Sequence, residues 1–125
     1  MKILVVDDEK DVQPLFELRF RREIKSGEVI MVFALSGQEA LDYLKAHLDE
    51  NILILSDINM PGMNGLELLK HIKEEFENPP PVVMMITAYG DDDNFKTAKS
   101  LGAEGFLTKP VDFADLKGKL KAWAV

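Results

Sequence analysis

Four consecutive aliphatic residues, Ile52-Leu53-Ile54-Leu55, constrain this chain more than any other stretch. A strand with one wet face alternates apolar and polar side chains, so an unbroken run implies a strand covered on both faces. The run leads into Ser56-Asp57, and Pro61-Gly62 then turns the chain. Asp57 is therefore expected at the carboxyl end of a buried strand, the edge at which open α/β sheets bind ligands. Ser56 points to the opposite face and reads as an ordinary strand hydroxyl.

The pattern recurs along the chain. Residues 3–6 form a second apolar run, ended by Asp7-Asp8. Val12, Leu15, Phe16, Phe20 and Ile24 recur at helical spacing and predict one helix, with Pro14 in its first turn and an end near Lys25-Ser26-Gly27. Residues 29–34 are strand-like. Ser36 and Glu39 have the spacing of a capping box, opening a helix whose inner face is Ala40, Leu41, Leu44 and Leu48. After the Asp57 strand, Asn64 and Glu67 cap a helix with Leu66, Leu69, Ile72 and Phe76 facing in. Asn78-Pro79-Pro80-Pro81 stops that helix as a stiff connector.

Residues 82–86 are a fourth buried strand, running into Thr87-Ala88-Tyr89-Gly90. Asp91, Asp92 and Asp93 favour the positive end of a helix through Phe95, Ala98 and Leu101, whose thin apolar face makes it the least firmly docked. Gly105-Phe106-Leu107 is a short fifth strand before Thr108-Lys109-Pro110, and Asp112 caps a last helix with Phe113, Leu116, Leu120 and Trp123 inward. Five alternations of strand and helix indicate an α/β fold, a doubly wound five-stranded parallel sheet with helices on both faces. One domain over residues 1–125 is expected.

Composition narrows the function. With no cysteine there is no thiol nucleophile, disulfide or Cys-based zinc site. A net charge of -7 opposes a general grip on phosphate backbones, so nucleic acid is not an expected direct partner. No apolar run reaches the roughly 20 residues of a membrane helix, and acid follows the first strand too early for a signal peptide, which predicts a cytoplasmic protein with no membrane partner.

In a parallel sheet all carboxyl ends share one rim, so Asp7, Asp8, Asp57, Thr87 and Lys109 can converge there. Each alone has an ordinary reading: helix cap, turn former or surface charge. Together, three carboxylates repel one another unless they hold protons or recruit a hard cation, of which Mg2+ (or Mn2+) fits best. A lysine and a hydroxyl beside such an ion suit a phosphoryl group.

These pieces resemble the receiver domain of bacterial two-component response regulators, of the chemotaxis-regulator kind. The resemblance rests on Val5-Val6-Asp7-Asp8, on Asp57 through Met60-Pro61-Gly62-Met63-Asn64-Gly65, on Ile86-Thr87-Ala88 and on Lys109-Pro110. It implies a flavodoxin-like (βα)5 sheet of strand order 2-1-3-4-5. It implies Asp57 as phosphoacceptor. Asp7, Asp8, Asp57 and the Asn59 backbone carbonyl become the metal ligands, and Thr87 and Lys109 contact the phosphoryl group. Thr87 and Phe106 become the switch pair, Lys109-Pro110 a cis peptide, and Tyr89 a residue tuning the lifetime of the phosphorylated state.

The implied partners are a histidine kinase or histidine phosphotransfer protein and a downstream protein met through the fourth helix, fifth strand and fifth helix. A monomer or a phosphorylation-dependent dimer follows. Such a protein is a phosphoacceptor that promotes its own phosphorylation and dephosphorylation rather than an enzyme. A degenerate receiver acting only as a binding module would lack part of this set. An aspartate-nucleophile Mg2+ phosphatase would carry a second acid where Asn59 stands, and a flavin module would meet repulsion from Asp7-Asp8. His47 and His71 lie in helices away from the rim. Arg19, Arg21, Arg22 and Lys25, like Lys117, Lys119 and Lys121, are expected to face solvent.

Overall fold

In the computed structural model, which describes residues 1–76, 80–88 and 90–123, five parallel strands form one sheet in the order β2-β1-β3-β4-β5. The strands are β1 (Lys2–Val6), β2 (Ile30–Ala34), β3 (Ile52–Asp57), β4 (Val82–Thr87) and β5 (Gly105–Thr108). The helices are α1 (Val12–Arg19), α2 (Arg21–Ser26), α3 (Gly37–Ala46), α4 (Gly65–Glu75), α5 (Asp92–Ser100) and α6 (Phe113–Trp123). This is the expected flavodoxin-like order.

Every residue of β3 is buried, as its unbroken apolar run requires. Alternate residues of the central strands feed two cores. Leu4, Val6, Ile54 and Met85 pack with α3 and α4 on one face, while Val5, Leu55, Met84 and Ile86 pack with Phe16, Phe20, Leu116 and Leu120 on the other. The caps form as expected, with Ser36 accepting from Glu39 N, Asn64 from Glu67 N and Asp112 from Asp115 N.

The single helix expected over residues 12–24 is divided at Phe20, which leaves helical geometry at φ -105° and ψ 17°. Two contacts account for the break. Phe20 is drawn into the core against Phe16 and Phe113. Lys117 Nζ donates to Arg19 O at 2.8 Å, a side-chain insertion into the helical ladder. Lys117 therefore does not simply face solvent: it also pairs with Glu23 at 2.9 Å and lies over the Phe20 ring. Leu15 and Leu48, expected inside, are exposed, Leu48 because α3 ends two residues earlier at Ala46. In α4 the fully covered positions are Leu68, Leu69 and Ile72, whereas Leu66 and Phe76 are only partly covered. The connector residues Asn78 and Pro79, and Tyr89, lie outside the described residues.

Candidate phosphoryl-acceptor site

Register brings the polar residues together. Val6 of β1 is level with Ser56 of β3, so Asp7 follows beside Asp57. Asp57 is level with Ile86 of β4, and Thr87 is level with Thr108 of β5, one residue before Lys109. The ladder carries on past the strand ends through Asp7 N to Ala34 O, Ile58 N to Ile86 O and Lys109 N to Thr87 O. The rim is thus held by backbone hydrogen bonds, and the side chains on it inherit that order.

Asp57 is 2 % exposed, and its Oδ2 accepts from Lys109 Nζ at 2.9 Å. Its Oδ1 accepts from Asn59 N at 3.4 Å, while Ser56 Oγ donates to the Asp57 carbonyl at 3.0 Å. Asp7 is buried and accepts from Glu9 N; Asp8 is exposed. One carboxylate oxygen from each of Asp7, Asp8 and Asp57 lies within 4.8 Å of the others. At an effective dielectric of about 20, two charges at that spacing repel by roughly 3 kcal/mol, less where Asp8 meets water. One half-exposed lysine does not neutralise three such groups.

The protonation tendencies follow. Burial pushes the Asp7 carboxyl above its ordinary range, and the charge of Asp57 adds to this. Burial opposes the charge on Lys109, but the hydrogen bond and charge of Asp57 outweigh it and hold the ammonium protonated. An all-oxygen donor set of three carboxylates fits a hard divalent ion such as Mg2+ or Mn2+, and offers no nitrogen or sulfur for a softer one.

Thr87 is buried at the end of β4, with Oγ1 donating to Leu107 O at a long 3.4 Å. The Lys109-Pro110 peptide is cis. Phe106 is partly covered, its ring 4.4 Å from that of Phe95 on α5, and Phe95 is itself exposed. Asn59 is exposed beside Asp57. The sequence reading gave no separate role to Gly65. A Cβ there would sit 2.2 Å from Asp57 O and 2.7 Å from Ile58 Cα, so α4 begins pressed against the backbone of Asp57 itself. The signal available was a glycine directly after the Asn64 cap, where a close approach forbids a side chain.

Comparison with known proteins agrees with this geometry. The profile of the family described as response regulator receiver domain matches residues 3–121. Sporulation initiation phosphotransferase F of Bacillus subtilis is 34% identical over 123 residues, covering 98% of this chain and 92% of that protein. Response regulator RppA of Synechocystis sp. is 32% identical over 122 residues, 98% of this chain but 50% of that protein, so the chain spans half its length. A crystal structure of a response regulator receiver domain protein from Clostridium thermocellum superposes with a TM-score of 0.83 at 28% identity, covering 97% of this chain and 91% of that one.

Proposed function

The chain belongs to the response regulator receiver domain family, and from that premise we propose that it is a phosphoacceptor whose acceptor is Asp57. The observation that carries the reading is a buried carboxylate held at 2.9 Å by the Lys109 ammonium with two further acids within 4.8 Å. In the proposed step an oxygen of Asp57 attacks the phosphorus of a phosphohistidine on a kinase or phosphotransfer protein. The P–O bond forms as the P–N bond breaks, and the imidazole leaves with the electron pair. Phosphoryl transfer depends chiefly on alignment and charge stabilisation, so no general base is required of this chain.

Asp7, Asp8, Asp57 and the Asn59 backbone carbonyl are the proposed holders of a divalent cation, which when bound offsets charge on the phosphoryl oxygens. Lys109 neutralises one such oxygen and Thr87 donates to another, giving up its long bond to Leu107 O. Moving Thr87 frees space into which Phe106 turns, changing the Phe95 contact. Helix α5 buries only Ala98, so little packing opposes its rearrangement. The α5–β5–α6 face then carries the signal to a downstream protein, from a monomer or a phosphorylation-dependent dimer. The family role is signalling rather than ordinary enzyme turnover, and control of its own phosphorylation and dephosphorylation belongs to the proposal, with Tyr89 tuning lifetime. We place residues 1–125 as one receiver domain acting in the cytoplasm; among the described residues no helix is long and apolar enough to cross a membrane.

The test is incubation with Mg2+ and acetyl phosphate followed by intact-mass measurement. The wild-type chain is expected to gain one phosphoryl group and Asp57→Asn none. A wild-type chain that gains nothing, while a cognate phosphohistidine donor also fails, leaves a binding module and refutes the acceptor role.

A further inference from the structure

We propose that the surface formed by Arg19, Arg21 and Arg22 is a docking site for an acidic protein segment that also carries apolar side chains. All three arginines of the chain lie within residues 19–22, and every other basic side chain apart from the two histidines is a lysine. Arginine and lysine are not equivalent here, because the planar guanidinium engages a carboxylate through two parallel hydrogen bonds. The chain holds 22 acidic residues against 15 basic ones, so carboxylates are plentiful. Yet among the described residues every ion pair uses a lysine or a histidine, and none uses an arginine.

The local fold presents them. The break at Phe20 parts α1 from α2, with Arg19 on one side and Arg21 and Arg22 on the other. Arg19 is positioned with its guanidinium 5.6 Å over the Phe113 ring. An open basin of about 310 Å3 is lined by the three arginines together with Leu18, Glu23 and Lys117. Lys117 is committed to Glu23 and to the Arg19 carbonyl, which leaves the guanidinium groups as the basin's unpaired cations among the described residues.

The lining also selects the occupant. Glu23 is already paired with Lys117, and a segment bearing several carboxylates can give each guanidinium its own two-bond partner, which one compact phosphate does not. Leu18 is 63% exposed at the wall and offers an apolar contact of no use to a phosphate. Helix α1 starts after β1 and runs back along the sheet, and the basin's lining includes none of Asp7, Asp8, Asp57, Thr87 and Lys109.

The probe is a fluorescent peptide of glutamates with interspersed leucines, compared with a glutamine-for-glutamate version and an alanine-for-leucine version, by anisotropy on the full chain. Wild type is expected to bind the first, to bind the alanine version more weakly and to ignore the glutamine version. Arg21→Glu with Arg22→Glu is expected to weaken binding at least about tenfold, and the two Lys replacements to weaken it less. Both positions are exposed, and an unchanged melting temperature certifies each variant. Equal affinity of the charge-reversed variant, or failure of wild type to separate acidic from glutamine peptide, overturns the proposal. Binding to phosphatidylserine vesicles in preference to the peptide overturns it in favour of a membrane surface, and binding of inorganic phosphate as tightly as the peptide overturns it in favour of a phosphate site.

Discussion

Two glycine-to-alanine substitutions in this chain are expected to move stability in opposite directions. At Gly118, inside α6, an added Cβ meets nothing within 4 Å, so only helix propensity acts and Gly118→Ala should stabilise by about 0.5–1 kcal/mol. At Gly65 the same methyl would lie 2.2 Å from Asp57 O, 2.7 Å from Ile58 Cα and 2.9 Å from Asp57 C. Ordinary contact begins near 3.4 Å, so the overlap with the carbonyl oxygen exceeds an ångström. All three obstacles are backbone, and no side chain can swing aside. The Gly65 N to Ile58 O bond, 2.8 Å long, has to yield as the start of α4 moves away from the β3 end. Overpacking of this kind costs about 1–3 kcal/mol, which outweighs any gain in propensity. For a chain of this size about 2 kcal/mol corresponds to a fall in Tm of roughly 8 °C. Thermal melts followed by circular dichroism, with and without Mg2+, read both effects. Because Asp57 moves with its carbonyl, Gly65→Ala should also lose part of the Mg2+-induced rise in Tm, while Gly118→Ala keeps it. A Gly65→Ala protein as stable as wild type would refute the close-approach reasoning.

Asp7→Asn is expected to stabilise the protein in EDTA, because it removes a carboxylate whose charge is disfavoured first by burial and then by Asp57. Since the Asp7 carboxyl holds its proton to higher pH when folded than when unfolded, the native state binds more protons between those two values. Stability attributable to Asp7 is therefore full below the ordinary carboxylate range and falls as pH rises through the raised value, and the substitution should flatten this part of a denaturant-midpoint profile against pH. The same variant should lose most of the Tm rise that Mg2+ gives wild type. Asn64→Ala removes the side chain that accepts from Glu67 N at 2.9 Å and should cost about 1 kcal/mol in urea unfolding; a cost near zero would mean that water replaces the cap.

The strand ends were legible in the sequence because burial on both faces forces an unbroken apolar run, and the first polar residue after it marks the rim. Asp7, Asp57, Thr87 and Lys109 sit one after another in register for that reason. Helix rotation was less legible. A stripe of Leu66, Leu69, Ile72 and Phe76 differs from Leu68, Leu69 and Ile72 by a fraction of a turn, and periodicity alone does not resolve so small a difference. The tight seat of Gly65 against Asp57 is part of what fixes the angle. The break at Phe20 was not legible, since the Lys117 side chain that takes the Arg19 carbonyl comes from 98 residues further along the chain.

The rim also explains why such a site needs a strong scaffold. Asp57 and Asp7 are buried beside each other with Asp8 close by, an arrangement that electrostatics alone would push apart. What opposes this is apolar and remote: β3 buried along its whole length, neighbours on both sides, and backbone hydrogen bonds continuing past the strand ends. Lys109 relieves part of the repulsion through a single contact with Asp57. The remaining excess of negative charge is then available to whatever cation binds between the acids. A site relaxed by a second lysine would fold more stably and hold a divalent ion less well, so the same unrelieved charge that weakens the fold gives the rim its affinity.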